Sequence, residues 1–150
     1  MTEAGQPAPD FTLRDQDGKK VTLSALRGQT IVLVFYPLDW SPGCTDQLNI
    51  YQEVLDEFRA QGAELYGISV DSAFSHHAFR EHLGLEFSLL ADFEPKGEVA
   101  RKYGMYISER GTNERGFVVI DPDGNVKHSH KSPSPLEIPG ANLIFDALAA

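Results

Sequence analysis

The chain has 150 residues, 41% hydrophobic and 23% charged, which fits one globular domain over residues 1–150 and argues against a disordered or fibrous protein. A formal charge of −9, with no concentration of Lys and Arg, argues against nucleic acid as a partner, because neutralising phosphates needs clustered positive charge. The single cysteine excludes an intrachain disulfide framework and a thiolate zinc cluster.

In chain order, "APDFTLRDQDGKKVTLSAL" has strand-like pieces around Asp17-Gly18, a dipeptide suited to a positive-φ turn, and predicts an N-terminal β-hairpin. "TIVLVFY" (30–36) is continuous and β-branched, as expected of a strand buried on both faces. It is also the longest strongly apolar run, far short of the roughly 20 residues of a membrane span. Met1 to Thr22 lacks a basic-then-apolar pattern, so no membrane association and a cytoplasmic location are expected. From Pro42 the period changes: Leu48, Tyr51, Val54, Leu55 and Phe58 recur at helical spacing, predicting one amphipathic helix that ends near Gly62.

"AELYGISV" (63–70) reads as a second buried strand, completing a right-handed βαβ unit. A helix from about Ser75 to Leu83 follows, with Phe79 and Leu83 inward, and "FSLLAD" reads as a short strand. "EPKGEVARKYG" predicts a short helix with Pro95 at its first position, Gly104 beyond its end, and Asp92 and Glu94 as helix-start charges. "GFVVIDPDGNVKHSH" predicts a closing hairpin, "SPSPLEIPG" (132–140) an irregular loop and "NLIFDALA" a terminal helix. The sum is an α/β fold: a mixed central sheet flanked by helices, with an N-terminal β-hairpin.

The chemistry concentrates in "YPLDWSPGCTDQ" (36–47), which holds the only cysteine and the only tryptophan. A free cysteine often serves as a small hydrophobe, and Cys44 extends the core-facing stripe of the predicted helix. Its place in the first helical turn points elsewhere, because unpaired N–H groups and the helix dipole there favour a thiolate, the nucleophilic form of the group. Ser41 supplies a hydroxyl either as a helix cap or as a donor to the sulfur or a bound oxygen, and Pro37 and Pro42 wall off water or only shape the loop.

"FYPLDWSPGCTDQ" resembles the active-site segment of the peroxiredoxins, P-x-x-x-[T/S]-x-x-C in a thioredoxin-like fold, with Pro37, Ser41 and Cys44 matching. "APDFTLRDQDGKKVTLSALRG" and "GTNERGFVVIDPDG" resemble the family's opening hairpin and its arginine-bearing segment, which maps the catalytic arginine onto Arg115. The resemblance implies reduction of hydrogen peroxide or organic hydroperoxides by Cys44 through a sulfenic acid, with no metal or organic cofactor. Two departures stand out: Ser41 replaces the commoner Thr, and Gln47 stands where relatives commonly carry a Glu that holds the arginine. A neutral Gln47 leaves more of the arginine's charge to act on the thiolate.

Asn49 occupies a place where some relatives put a resolving cysteine, so the resemblance is to the bacterial one-cysteine type. Recycling then needs an external thiol, either a thioredoxin-type protein or a small-molecule thiol. The family further implies a homodimer, with Trp40 as a candidate contact. A disulfide exchanger is disfavoured because "SPGC" has Ser41 in place of the first cysteine of C-x-x-C. A non-catalytic interaction or redox-sensing module using Trp40 is the remaining alternative. His76, His77 and His82, with His128 and His130, lack a recognisable metal-ligand spacing and are read as exposed, and no dinucleotide or phosphate-loop fingerprint is present.

Overall fold

The computed structural model describes all 150 residues. Its organising element is β3 (Thr30–Phe35), whose apolar run divides by alternation between two cores. Val32, Val34 and the following Tyr36 enter one hydrophobic cluster, while Ile31, Leu33 and Phe35 enter the other. β4 (Ala63–Ser69), β5 (Ser88–Ala91) and β8 (Gly116–Ile120) divide in the same way, with Leu65, Leu89 and Phe117 on the first side and Ile68, Leu90 and Val118 on the second. A sheet covered on both faces gains nothing from polar alternation, which is why these strands read as unbroken hydrophobic runs.

With β1 (Thr12–Arg14), β2 (Lys20–Thr22) and β9 (Val126–Lys131), the seven strands lie in the order β2-β1-β5-β4-β3-β8-β9. The β3–β4 and β4–β5 pairs are parallel, and the β3–β8, β8–β9, β1–β2 and β1–β5 pairs are antiparallel. β6 (Tyr106–Ile107) and β7 (Thr112–Asn113) form a separate small ribbon. Residues of α1 (Pro42–Glu53), α2 (Leu55–Ala60), α3 (Ala73–Leu83) and α5 (Ala141–Ala149) build the first core, among them Leu48, Phe58, Phe79 and Ile144. α4 (Glu98–Lys102) and the N-terminal segment build the second. This is the mixed sheet flanked by helices expected from the sequence.

Two expectations are corrected. The single helix predicted from Pro42 to Gly62 is two, because Val54 leaves helical geometry (φ −115°, ψ 17°) and its N–H turns back to the Tyr51 carbonyl. The apolar stripe survives the bend, since Tyr51, Leu55 and Phe58 all remain in the first core. Pro95 is not the first residue of α4, which starts three residues later at Glu98. That start is set by Asp92, whose carboxylate accepts from the N–H groups of Val99 (3.1 Å) and Ala100 (2.9 Å).

Burial holds the Asp92 carboxyl above its usual range, outweighing the two N–H groups that pull it down. A group raised in the folded state contributes its full stability below about pH 4 and loses it as pH rises through the folded value. Asp92→Asn, which cannot ionise, is therefore expected to flatten part of any fall in the urea midpoint as pH rises above about 4. An unchanged pH slope would contradict that sign.

Candidate active site

The site forms where β3 ends and α1 begins. Ser41 is the N-cap of α1 in extended conformation, Pro42 opens the helix, and Cys44 lies in its first turn. The Ser41 hydroxyl does not cap: it donates back to the Leu38 carbonyl at 3.2 Å and closes the loop on itself. Pro37 is half-buried at the base of this loop, directly after Tyr36. Cys44 is fully buried, a member of the first core as well as a residue of the helix terminus.

Arg115 reaches this sulfur from 71 positions away because β8 pairs with β3 in a register that sets Gly116 opposite Phe35. The residue before Gly116 therefore stands beyond the end of β3, where α1 starts. Arg115 is 4% exposed, and its Nη1 lies 3.5 Å from Cys44 Sγ. Nη1 also donates to Gln47 Oε1 at 2.7 Å, and Nε donates to the Pro135 carbonyl at 2.8 Å. Gly43 admits the group: a Cβ there would lie 3.0 Å from Nη2. Gly116 likewise lets β9 close in, since a Cβ would collide with the His130 carbonyl oxygen.

The electrostatics follow from what is missing around the guanidinium. None of the chain's ion pairs includes Arg115. Its oxygen partners are neutral, an amide and a backbone carbonyl, so the sulfur is the one group among these contacts able to carry the compensating charge. The buried cation and the N-terminus of α1 thus both face the sulfur.

Two further participants carry no sequence signal of their role. Tyr51 accepts from Gln47 Nε2 (3.3 Å) and donates to the Pro139 carbonyl (2.7 Å), so it holds the amide that faces Arg115. Burial pushes its phenol up to about 12, keeping it a donor. The loop 132–140 supplies the carbonyls of Pro135 and Pro139, a role its composition does not announce. Tyr51→Phe is expected to cost about 1–2 kcal/mol in urea unfolding, because the Pro139 carbonyl loses its donor. It should also slow Cys44 oxidation about threefold by releasing Gln47; equal rates would separate Tyr51 from the site.

One histidine is placed differently from expectation. His76 is fully buried, not exposed, and makes hydrogen bonds with both ring nitrogens. His128 and His130 flank the Phe117 ring at 5.8 and 5.4 Å. Trp40 is 51% exposed and leans on α3 through Phe79 (5.1 Å) and His82 (5.4 Å).

A thioredoxin-like sheet with one cysteine at a helix N-terminus beside a buried arginine defines a peroxiredoxin-type thiol protein. The chain belongs to the AhpC/TSA family, whose profile matches residues 4–129. It is 36% identical over 151 residues to alkyl hydroperoxide reductase E of Mycobacterium tuberculosis, covering 100% of this chain and 98% of that protein. It is 40% identical over 129 residues to the chloroplastic peroxiredoxin Q of Oryza sativa subsp. japonica, a match that takes in 85% of this chain and 58% of the rice protein's length. Among solved structures, peroxidoxin BcpB of Mycobacterium tuberculosis superposes with a TM-score of 0.85 at 30% identity, covering 99% of this chain and 96% of that one. Enterococcus faecalis AhpC gives 0.89 at 25% identity, covering 99% and 92%. No helix of the protein is long and apolar enough to cross a membrane.

Proposed function

We propose that the protein is a thiol-dependent peroxidase in which Cys44 reduces hydrogen peroxide or an organic hydroperoxide. The thiolate attacks one peroxide oxygen and the O–O bond breaks. Sulfur is oxidised by two electrons to the sulfenic acid, and the other oxygen leaves with a proton as water or alcohol. Arg115 steadies the sulfur and the charge growing on the departing oxygen, Ser41 orients the peroxide, and Pro37 limits water at the loop. The observation that carries this reading is the 3.5 Å approach of an otherwise uncompensated, buried guanidinium to the only cysteine.

With no second cysteine, the sulfenic acid is returned to the thiol from outside, by a thioredoxin-type protein or a low-molecular-weight thiol, through a mixed disulfide. The reading includes a cytoplasmic setting and a homodimer, for which the exposed aromatic residues Phe74 (89%) and Phe93 (54%) lining one surface pocket offer apolar area. A non-catalytic module is not favoured, given the family membership and the Cys44–Arg115 contact.

The test is stoichiometric. Reduced protein given one equivalent of peroxide should consume it far faster than free cysteine does, gain one oxygen atom by intact mass, and form a dimedone adduct on Cys44. Added thiol should then restore the starting mass. Oxidation no faster than free cysteine would overturn the proposal.

A further inference from the structure

The Cys44–Arg115 chemistry leaves unused a second buried polar cluster, centred on Asp39 in the middle of the active-site loop. Asp39 Oδ1 accepts from the Tyr36 hydroxyl (2.7 Å), and Oδ2 accepts from Ser75 Oγ (2.9 Å) and pairs with His76 Nδ1 (2.8 Å). The Asp39 N–H donates to Asp71 Oδ2 at 2.8 Å, an oxygen that also accepts from the Ser69 hydroxyl. His76 Nε2 meets the Leu90 carbonyl at 3.0 Å. One loop residue is thus tied to the end of β3, the end of β4, the first turns of α3 and, through His76, to β5. Asp39, Asp71 and His76 lie close enough to suggest a metal cage. The carboxylate oxygens of Asp39 and Oδ2 of Asp71 instead already receive N–H and O–H donors, which describes a clamp and not a cation site.

The residue after Asp39 explains why a clamp is needed. Trp40 has φ +71°, the only non-glycine residue of the chain with positive φ, and a bulky side chain holds that conformation only where its surroundings over-determine it. Asp39 fixes the backbone on one side of the bend, and the Trp40 ring on Phe79 and His82 fixes the other. The bend delivers the chain into Ser41 and the first turn of α1, so it decides where Cys44 stands relative to Arg115.

We propose that Asp39 and His76 are positioning residues for peroxide reduction at Cys44, clamping residues 37–41 to α3 so that the sulfur and the Arg115 guanidinium keep their relative placement. The inference rests on Cys44 being the peroxide-reducing nucleophile, and the unaltered protein is the control that separates the two: if it does not form the sulfenic acid rapidly, the proposed function fails first.

The experiment compares Asp39→Asn and His76→Leu with the parent chain in three readouts. These are the second-order rate of Cys44 oxidation by hydrogen peroxide, the rate of alkylation by iodoacetamide, and acrylamide quenching of the single tryptophan. Asp39→Asn should lower the peroxide rate roughly 10- to 100-fold, the penalty of a misplaced reacting group. Alkylation, followed at a pH alkaline enough to ionise a free thiol fully, needs no alignment with Arg115 and should stay within about threefold of the parent or rise, and quenching should increase as the loop loosens. A merely structural role would lower the unfolding midpoint without changing the ratio of the two rates. Should His76→Leu fail to fold, Ser75→Ala removes one half-buried donor and is expected to slow peroxide reduction about threefold with the same divergence from alkylation. A folded Asp39→Asn with the parent's peroxide rate, or with both rates reduced in proportion, would overturn the proposal.

Discussion

Replacing Arg115 by methionine is expected to slow oxidation of Cys44 by peroxide about 10²–10³-fold, the usual loss when one preorganised donor to a developing charge is removed. Methionine keeps the apolar stem, while the charge, the forked donors and the guanidinium atoms that lie against Gly43 go. Gln47 Oε1 and the Pro135 carbonyl lose their donor as well, a cost of about 1–3 kcal/mol for each acceptor that stays dry, read as a lower urea midpoint. Arg115→Lys should fall between parent and methionine. A point charge on a flexible stem cannot serve the amide, the carbonyl and the sulfur from one plane. Stopped-flow peroxide kinetics on folded protein decide the matter, and a methionine variant within threefold of the parent would remove Arg115 from the chemistry.

Phe58→Ala is expected to destabilise the fold by about 3–5 kcal/mol, more than the loss of any single hydrogen bond at the site. The ring is fully buried in the first core and stacks on Phe145 at 4.4 Å and 26°, joining α2 to α5. Alanine leaves a cavity between the two helices. In a chain of this length the melting midpoint should drop by roughly 10 °C. The peroxide rate of the folded fraction should stay near that of the parent, because Phe58 lies beyond the break at Val54, away from the helix terminus that carries Cys44. A much smaller loss would mean that α5 collapses onto α2 and fills the space.

The site is legible in proportion to how local it is. Pro37, Ser41 and Cys44 occupy one short stretch, and the change of period at Pro42 puts the thiol at a helix start without any knowledge of the fold. Arg115 carries no local signal and is reached only through family resemblance. Gln47 stands out as a departure, but its part as the acceptor facing Arg115 depends on Tyr51 and on a carbonyl of a proline-rich loop that no periodicity locates. His76 reads as exposed because a histidine beside His77 on a helix looks like a solvated face, whereas the turn of α3 sends one inward to Asp39 and the other out.

The residues themselves determine the seven strands of the main sheet, both hairpins, the helix start at Pro42 and the absence of a second cysteine, since each follows from nearest-neighbour pattern or from a count of one cysteine. Tertiary structure alone decides the break at Val54, the start of α4 and the meeting of Arg115 with Cys44. Helical spacing passes unchanged through a bend, a buried carboxylate can choose which N–H groups open a helix, and only the β3–β8 register carries a residue across 71 positions to a sulfur.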